Sequence, residues 1–244
     1  MSTRETGTTL KEIKAESSLT DRVRDSIREA IIDGQLAPGS LHSVQSLADV
    51  FKVSRTPVRE ALIDLAGADM VEFERNRGVR ILQTSVHDLE EILVMRILLE
   101  VPATFRAASQ IDATGLKQLR AEYKAMAAAG RAKDEATMMH HDRRFHEIIN
   151  RASGNARLAA YVDSLRDLIL TRGVSTVDNT RSLREIVAEH RTILESIENG
   201  DATTAAALMK EHLVNTSSLL LEQEGGRDSA AALGWENLVV GGDE

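Results

Sequence analysis

Apolar residues recur along most of this chain at helical spacing. Leu19, Val23, Ile27, Ala30 and Ile31 form one stripe, so residues 19–32 are predicted to be a helix capped by Ser18 or Thr20. Asp33-Gly34 stops it, and Ala37-Pro38-Gly39 reads as a turn. Val44, Leu47, Ala48 and Phe51 predict a short second helix over 43–51. Lys52-Val53 leaves room only for a tight turn before a third helix, in which Val58, Ala61, Leu62 and Leu65 face inward. Ser54 stands where an N-cap belongs, and Pro57 lies in the first turn, where a missing N–H costs nothing. The period then changes to two. Val71 and Phe73, followed by Val79 and Ile81, predict two strands of a hairpin that turns at Gly78. From Val86 to Glu222 the helical period returns, with helices expected near 87–109, 112–129, 133–152, 155–173, 180–199 and 201–222. Asp112, Asn155 and Asp201 are the expected caps of three of them.

These elements predict a mostly α chain: an N-terminal winged helix-turn-helix over 18–84 and a C-terminal antiparallel all-helical bundle over 86–222. Residues 1–17 lack an apolar period and read as a disordered arm. Residues 223–244 read as a tail without an assigned role.

The third helix carries the first candidate chemistry. Opposite its apolar face stand Arg55, Thr56 and Arg59, beside Ser54. Arginine grips guanine edges or phosphates, and hydroxyls bond phosphate oxygens, so this is the equipment of a DNA recognition helix. The plainer alternative is an amphipathic helix with a solvated basic face. The net charge of −8 argues against nucleic acid at first sight. The first 84 residues are nonetheless close to neutral, with 12 basic against 13 acidic side chains, and their charges cluster. Residues 52–59 hold Lys52, Arg55 and Arg59 without an acid, and residues 75–80 hold Arg75, Arg77 and Arg80 without one. A local basic stripe suffices for phosphate contacts. The hairpin loop then reads as a wing that brings Arg77 to DNA, or else as a plain surface hairpin.

The chain has no cysteine, which removes disulfides and thiolate sites and suits a reducing cytoplasm. No window approaches the roughly 20 apolar residues of a membrane span. The polar N-terminus is neither a secretory signal nor a transit peptide.

Inside the predicted bundle, Asp142 and His146 are spaced i, i+4 on a face shared with Met138, Met139 and Ile149. His190 lies among Ile186, Val187, Ile193, Leu194 and Ile197, and His212 among Leu208, Met209, Leu213 and Leu219. Inward ionisable groups need a reason. One is a shared divalent metal; an Asp and three His suit zinc above all, and also nickel, manganese or iron. The other is four separately satisfied core side chains, and spacing alone secures only the Asp142/His146 pair. His140 and His141 point to other faces and read as surface or rim residues. A rival class is an enzyme: the adjacent His141-Asp142 suggests an HD-type metal-dependent phosphohydrolase. That reading requires two adjacent, diverging side chains to share one metal, and no separate general base is visible.

Taken together, the chain resembles a GntR-family transcription regulator of the FadR type with an FCD effector domain, over about residues 18–222. Ser-Arg-Thr-Pro-Val-Arg-Glu-Ala-Leu at 54–62 matches that family's recognition helix, and Asn76-Arg77-Gly78 its wing tip. Arg96-x-x-x-Glu100, Asp142-x-x-Phe145-His146, Ser153-Gly154-Asn155, Glu189-His190 and His212 match the FCD pattern in order. The resemblance implies DNA contacts from Gln45, Ser54, Arg55, Thr56, Arg59, Arg77 and Gly78. It implies Asp142, His146, His190 and His212 as ligands of one metal, sensing or purely structural, and a small organic acid bound beside it. Asn155 and Arg96 are the candidate contacts of that acid, Arg96 because Ile92, Leu93, Leu99 and Glu100 beside it suggest a partly inward position and a guanidinium can clamp a carboxylate. An Arg96–Glu100 ion pair at i, i+4 is the competing use of Arg96. The resemblance also implies a cytoplasmic homodimer on a palindromic double-stranded operator. Two positions depart from the pattern: Gln45 stands where an Arg is frequent, and His42 where a Pro is common.

Overall fold

In a computed structural model of the chain, residues 17–171 and 181–224 are described, and the expected arm and tail lie almost wholly outside them. The chain divides into two compact units between Leu82 and Gln83.

The first unit begins with α1 (Leu19–Ile32). Ser18 and Asp21 form a reciprocal capping box, and Val23, Ile27 and Ile31 are buried, while Leu19 at the first turn stays exposed. Strand β1 (Leu41–His42) and helix α2 (Val44–Phe51, capped by Ser43) follow. Lys52 closes α2 in the left-handed conformation, φ 56°, which turns the chain at once into α3 (Arg55–Ala66). Helices α1 and α2 both pack on α3, whose Val58, Ala61 and Leu62 have no exposed surface. Val58 and Leu62 each contribute roughly 1.5–3 kcal/mol by leaving water.

The hairpin is present as β2 (Val71–Glu74) and β3 (Gly78–Ile81), but the sheet has a third member. Strand order is β1-β3-β2, antiparallel throughout, with Leu41 opposite Arg80 and Val71 opposite Ile81. Two residues are too few to show a period, so β1 was not legible in the pattern. Phe73 departs from the expected inward alternation and is 40% exposed, although its cross-strand partner Val79 is fully buried.

Among the described residues the second unit holds six helices: α4 (Val86–Gln110), α5 (Ala113–Ala132), α6 (Glu135–Ala152), α7 (Ala156–Thr171), α8 (Leu183–Glu198) and α9 (Ala202–Gln223). Ser85, Asp112, Asp134, Ser182 and Asp201 cap five of them. Helix α4 packs against α6, α7, α8 and α9, and runs through Pro102 without ending. Its interior stripe is apolar at Leu89, Leu93 and Ile97, then polar at Arg96, Glu100 and Thr104, all buried. No described helix is long and apolar enough to cross a membrane.

One glycine of the sheet has a strict requirement. Gly78 has φ +123°, and a Cβ there would lie 2.2 Å from the His42 carbonyl oxygen. Gly34 also has positive φ, +72°, but open space around it. Gly78→Ala is therefore expected to destabilise the first unit by at least roughly 1–3 kcal/mol, well beyond the effect of Gly34→Ala. Equal shifts in thermal unfolding for the two variants would contradict this account of β1 against β3.

Candidate metal centre and DNA-binding face

Helix α6 brings Asp142 and His146 inward one turn apart, α8 brings His190 and α9 brings His212. All four are buried, and their candidate ligand atoms lie within 4.8 Å of one another. The three imidazole centroids are 4.6–5.4 Å apart. Packing of α6, α8 and α9 thus makes one cluster of the four positions.

The hydrogen bonds around the cluster fix its chemistry. His146 Nδ1 donates to Glu100 Oε2 at 2.7 Å, His190 Nδ1 to the Ile186 carbonyl at 2.8 Å, and His212 Nδ1 to Glu189 Oε2 at 2.7 Å. Each partner only accepts, so each ring carries its proton on Nδ1 and keeps a lone pair on Nε2. His146 Nε2 is buried without a hydrogen-bond partner. His190 Nε2 lies 2.9 Å from Asp142 Oδ1, yet outside hydrogen-bonding geometry. The two atoms are close without a hydrogen bond between them. Imidazoles grouped this closely, each held through Nδ1 by an acceptor, form the arrangement that a metal-binding histidine set requires. The four residues fit a divalent ion by donor type, burial and orphaned atoms.

Burial and charge agree with neutral His146 and His212 rings among ionised acids. Burial alone would raise the Asp142 carboxyl, but the Arg166 guanidinium and the His190 and His146 rings hold it well below the usual carboxylate range. Burial is likewise outweighed at Glu100, where Arg96, His146 and Arg166 keep the carboxyl ionised. His146 is lowered by burial and then by Arg166, against the pull of Glu100. His212 is pushed down to about 3 by burial, despite its bond to Glu189.

Arg96 is 5% exposed, and its Nε donates to Glu100 Oε1 at 2.7 Å, which is the i, i+4 ion pair. Asn155 is exposed, and its side-chain oxygen accepts the Leu158 amide at 3.1 Å, so it serves the start of α7 instead of lining the cluster. His141 pairs with Glu122 at 2.7 Å and His140 is exposed; of the His141-Asp142 dyad only Asp142 joins the cluster, which removes the basis of the phosphohydrolase reading. Sequence reasoning gave no role to Arg166, which pairs with Asp142, or to Glu189, which Arg181 and Asn215 also hold. The available signal was an arginine set among Val162, Leu165 and Ile169 on α7.

In the first unit, Ser54, Arg55, Thr56 and Arg59 are exposed together at the start of α3. Ser54 occupies the N-cap but makes no capping bond with its side chain, so its hydroxyl is uncommitted to the helix. Gln45 accepts from Arg55 Nε and donates to Asp49, which ties α2 to α3 at this face. Arg77 at the wing is 63% exposed and pairs with Glu74 at 2.8 Å.

A winged helix-turn-helix with an exposed basic first turn, followed by an all-helical unit enclosing a metal-type cluster, defines a DNA-binding transcription regulator. Residues 19–81 match the bacterial regulatory proteins of the gntR family, and residues 91–215 match the FCD domain. The chain belongs to the GntR family of transcription regulators with an FCD domain, and that family is not one of enzymes. It is 28% identical to the transcriptional regulator LutR of Bacillus subtilis, over 78% of this chain and 95% of that protein. It is 27% identical to a probable D-xylose utilization operon repressor of Paenarthrobacter nicotinovorans, over 88% and 94%. Among solved structures, Escherichia coli McbR/YncC superposes with a TM-score of 0.74 at 21% identity, covering 86% of this chain and 100% of that one. A putative GntR regulator of Rhodococcus sp. RHA1 gives 0.67 at 23%, covering 83% and 97%. These two likenesses concern the fold.

The shifts at His146 and His212 carry a pH consequence for metal-free protein. Both rings have a folded pKa below the ordinary 6.5, so the unfolded chain takes up protons that the folded one refuses. Their effect is absent above about pH 7 and grows as pH falls from 6.5 toward 3. Asp142 and Glu100, also lowered, add to the loss once pH enters the carboxylate range. Denaturant unfolding of the chelator-treated protein at pH 7.5, 6 and 5 is expected to show stability falling progressively below pH 6.5, with His212 contributing up to about 1.4 kcal/mol per pH unit. A flat profile would place charged imidazoles in the folded state.

Proposed function

We propose that this regulator is a homodimeric repressor whose helical domain, residues 86–222, holds one divalent metal on Asp142, His146, His190 and His212 and binds a small organic acid beside it. Zinc suits the donor set best. The observation that carries this reading is the pair of buried Nε2 atoms on His146 and His190 without a hydrogen-bond partner, in a cluster whose candidate ligand atoms lie within 4.8 Å of one another. A bound metal would supply a Lewis-acidic anchor for a carboxylate oxygen. Glu100, Ile186 and Glu189 orient the three rings, and Arg166 orients Asp142 through its other oxygen. Arg96 spends one N–H on Glu100 and has further donors on the same guanidinium, which suit it to a carboxylate effector.

Residues 18–84 are the DNA-binding domain in this reading. Arg55 and Arg59 read base edges in the major groove. Ser54 and Thr56 bond phosphates, Gln45 steadies Arg55, and Arg77 with Gly78 brings the wing to the backbone. Two-fold pairing of subunits matches a palindromic operator. Effector binding lowers operator affinity through linkage between the two ligands. Repression, rather than activation, is the role that the names of relatives such as the gluconate operon repressor of Bacillus subtilis support.

Operator titrations at fixed salt test the DNA face. Arg55→Ala and Arg59→Ala are expected to cost roughly 1–3 kcal/mol each on the cognate site. Unchanged binding by both would reject α3 as the recognition helix. For the metal, elemental analysis should find one divalent ion per subunit in wild type and little in His146→Ala or His212→Ala, with lower melting of the depleted protein. Full metal content in both variants would reject this ligand set. A stabilising organic acid that leaves the operator complex intact would reject the release mechanism.

A further inference from the structure

The charged groups around the cluster repeat one unit three times. In each unit a guanidinium and an imidazole share a carboxylate. Arg96 and His146 meet on Glu100, at 2.7 Å each. Arg166 and His190 meet on Asp142. Arg181 and His212 meet on Glu189, again at 2.7 Å each. The guanidiniums come from α4, from α7 and from the residue before the α8 cap, so no single helix generates the pattern.

Arginine stays protonated in proteins, and a carboxylate beside a guanidinium stays ionised. An imidazole that offers Nε2 to a metal while donating from Nδ1 is neutral. Within these three units, then, three negative charges face three positive ones. The protein part of the site is balanced before any ion enters, and a divalent cation brings two charges that nothing around it offsets. Uncompensated charge in a buried site is costly. Asp142 cannot supply the difference, since Arg166 already neutralises it.

We propose that the effector of this domain is a dianion, which returns the metal-loaded site to neutrality where a monocarboxylate leaves it positive. This deepens the metal-and-acid reading above and rests on it. A dicarboxylate and a phosphate monoester share the required chemistry.

The test uses full-length, zinc-loaded protein, with zinc content measured before and after each titration. Calorimetry at pH 7.5 compares malonate, its monoamide malonamate and inorganic phosphate. Malonamate keeps malonate's size and chelating shape with one charge fewer. At least one dianion is expected to bind about tenfold or more tighter than malonamate. Malonate ahead of phosphate assigns a dicarboxylate effector, and the reverse assigns a phosphate monoester. Malonamate equal to or tighter than both dianions, or no binding by either dianion, overturns the proposal. Protein that takes up no zinc overturns the reading beneath it.

Two variants at the outermost unit, where Glu189 is 27% exposed, separate charge from structure. Arg181→Gln should narrow the ratio of dianion to monoanion affinity, and Glu189→Gln should widen it. General loosening of the site lowers all affinities together and leaves the ratio where it was. A ratio unmoved in both variants would overturn the charge argument.

Discussion

Four ionisable side chains buried among α6, α8 and α9 impose the main constraint on the helical unit. Each must find a partner in an interior where an unpaired polar atom costs about 1–3 kcal/mol. The solution ties every imidazole down on its Nδ1 side, two through carboxylates and one through the Ile186 carbonyl. Those carboxylates need counter-charges in turn, which Arg96 and Arg181 provide. The polar layer therefore spreads outward from the cluster to α4 and to the residue before α8. Thr104 extends it along α4 by bonding the Glu100 carbonyl. Within the cluster itself the Nε2 atoms of His146 and His190 keep no hydrogen-bond partner, and the four residues could hold a metal ion there.

The first unit meets a different constraint, that of two sharp turns. Lys52 in the left-handed conformation folds α2 back on α3, and Gly78 lets β3 pass the His42 carbonyl. With those turns made, the apolar residues of α1 and α3 fill the space between them. The polar start of α3 is left in solvent, so exposed arginines there are a by-product of burying Val58, Ala61 and Leu62. The frequent Arg of α2 is Gln45 in this chain, and it engages Arg55 and Asp49 at the protein surface. A neutral amide in that place lowers the positive charge of the face, which bears on how strongly phosphate contacts weigh against base contacts.

Overall charge was a poor guide to function here. The chain carries −8, yet belongs to a family of DNA-binding regulators. The excess acid sits mostly after residue 84, while the basic stripe is confined to a few exposed positions of the first unit. Binding responds to the local potential within about a Debye length, roughly 8 Å at physiological salt, so distant acids count for little.

Helices were readable from the sequence because their signals are local: a stripe at 3.6-residue spacing, a capping Ser or Asp, a Gly at the gap. The recognition helix and the Asp142/His146 pair belong to the same class, since both depend on neighbours within two turns. Strand β1 was not readable, because two residues carry no period and Arg80, the partner of Leu41, lies 39 positions on. Asn155 belongs with the local signals too: expected as a cap, it accepts the Leu158 amide at the start of α7. Convergence of His190 and His212 on Asp142, the pairing of Arg166 with that carboxylate, and the third arginine at 181 were decided by tertiary packing alone. Periodicity says which face a side chain occupies; which faces meet depends on how helices distant in sequence pack, and no local pattern encodes that.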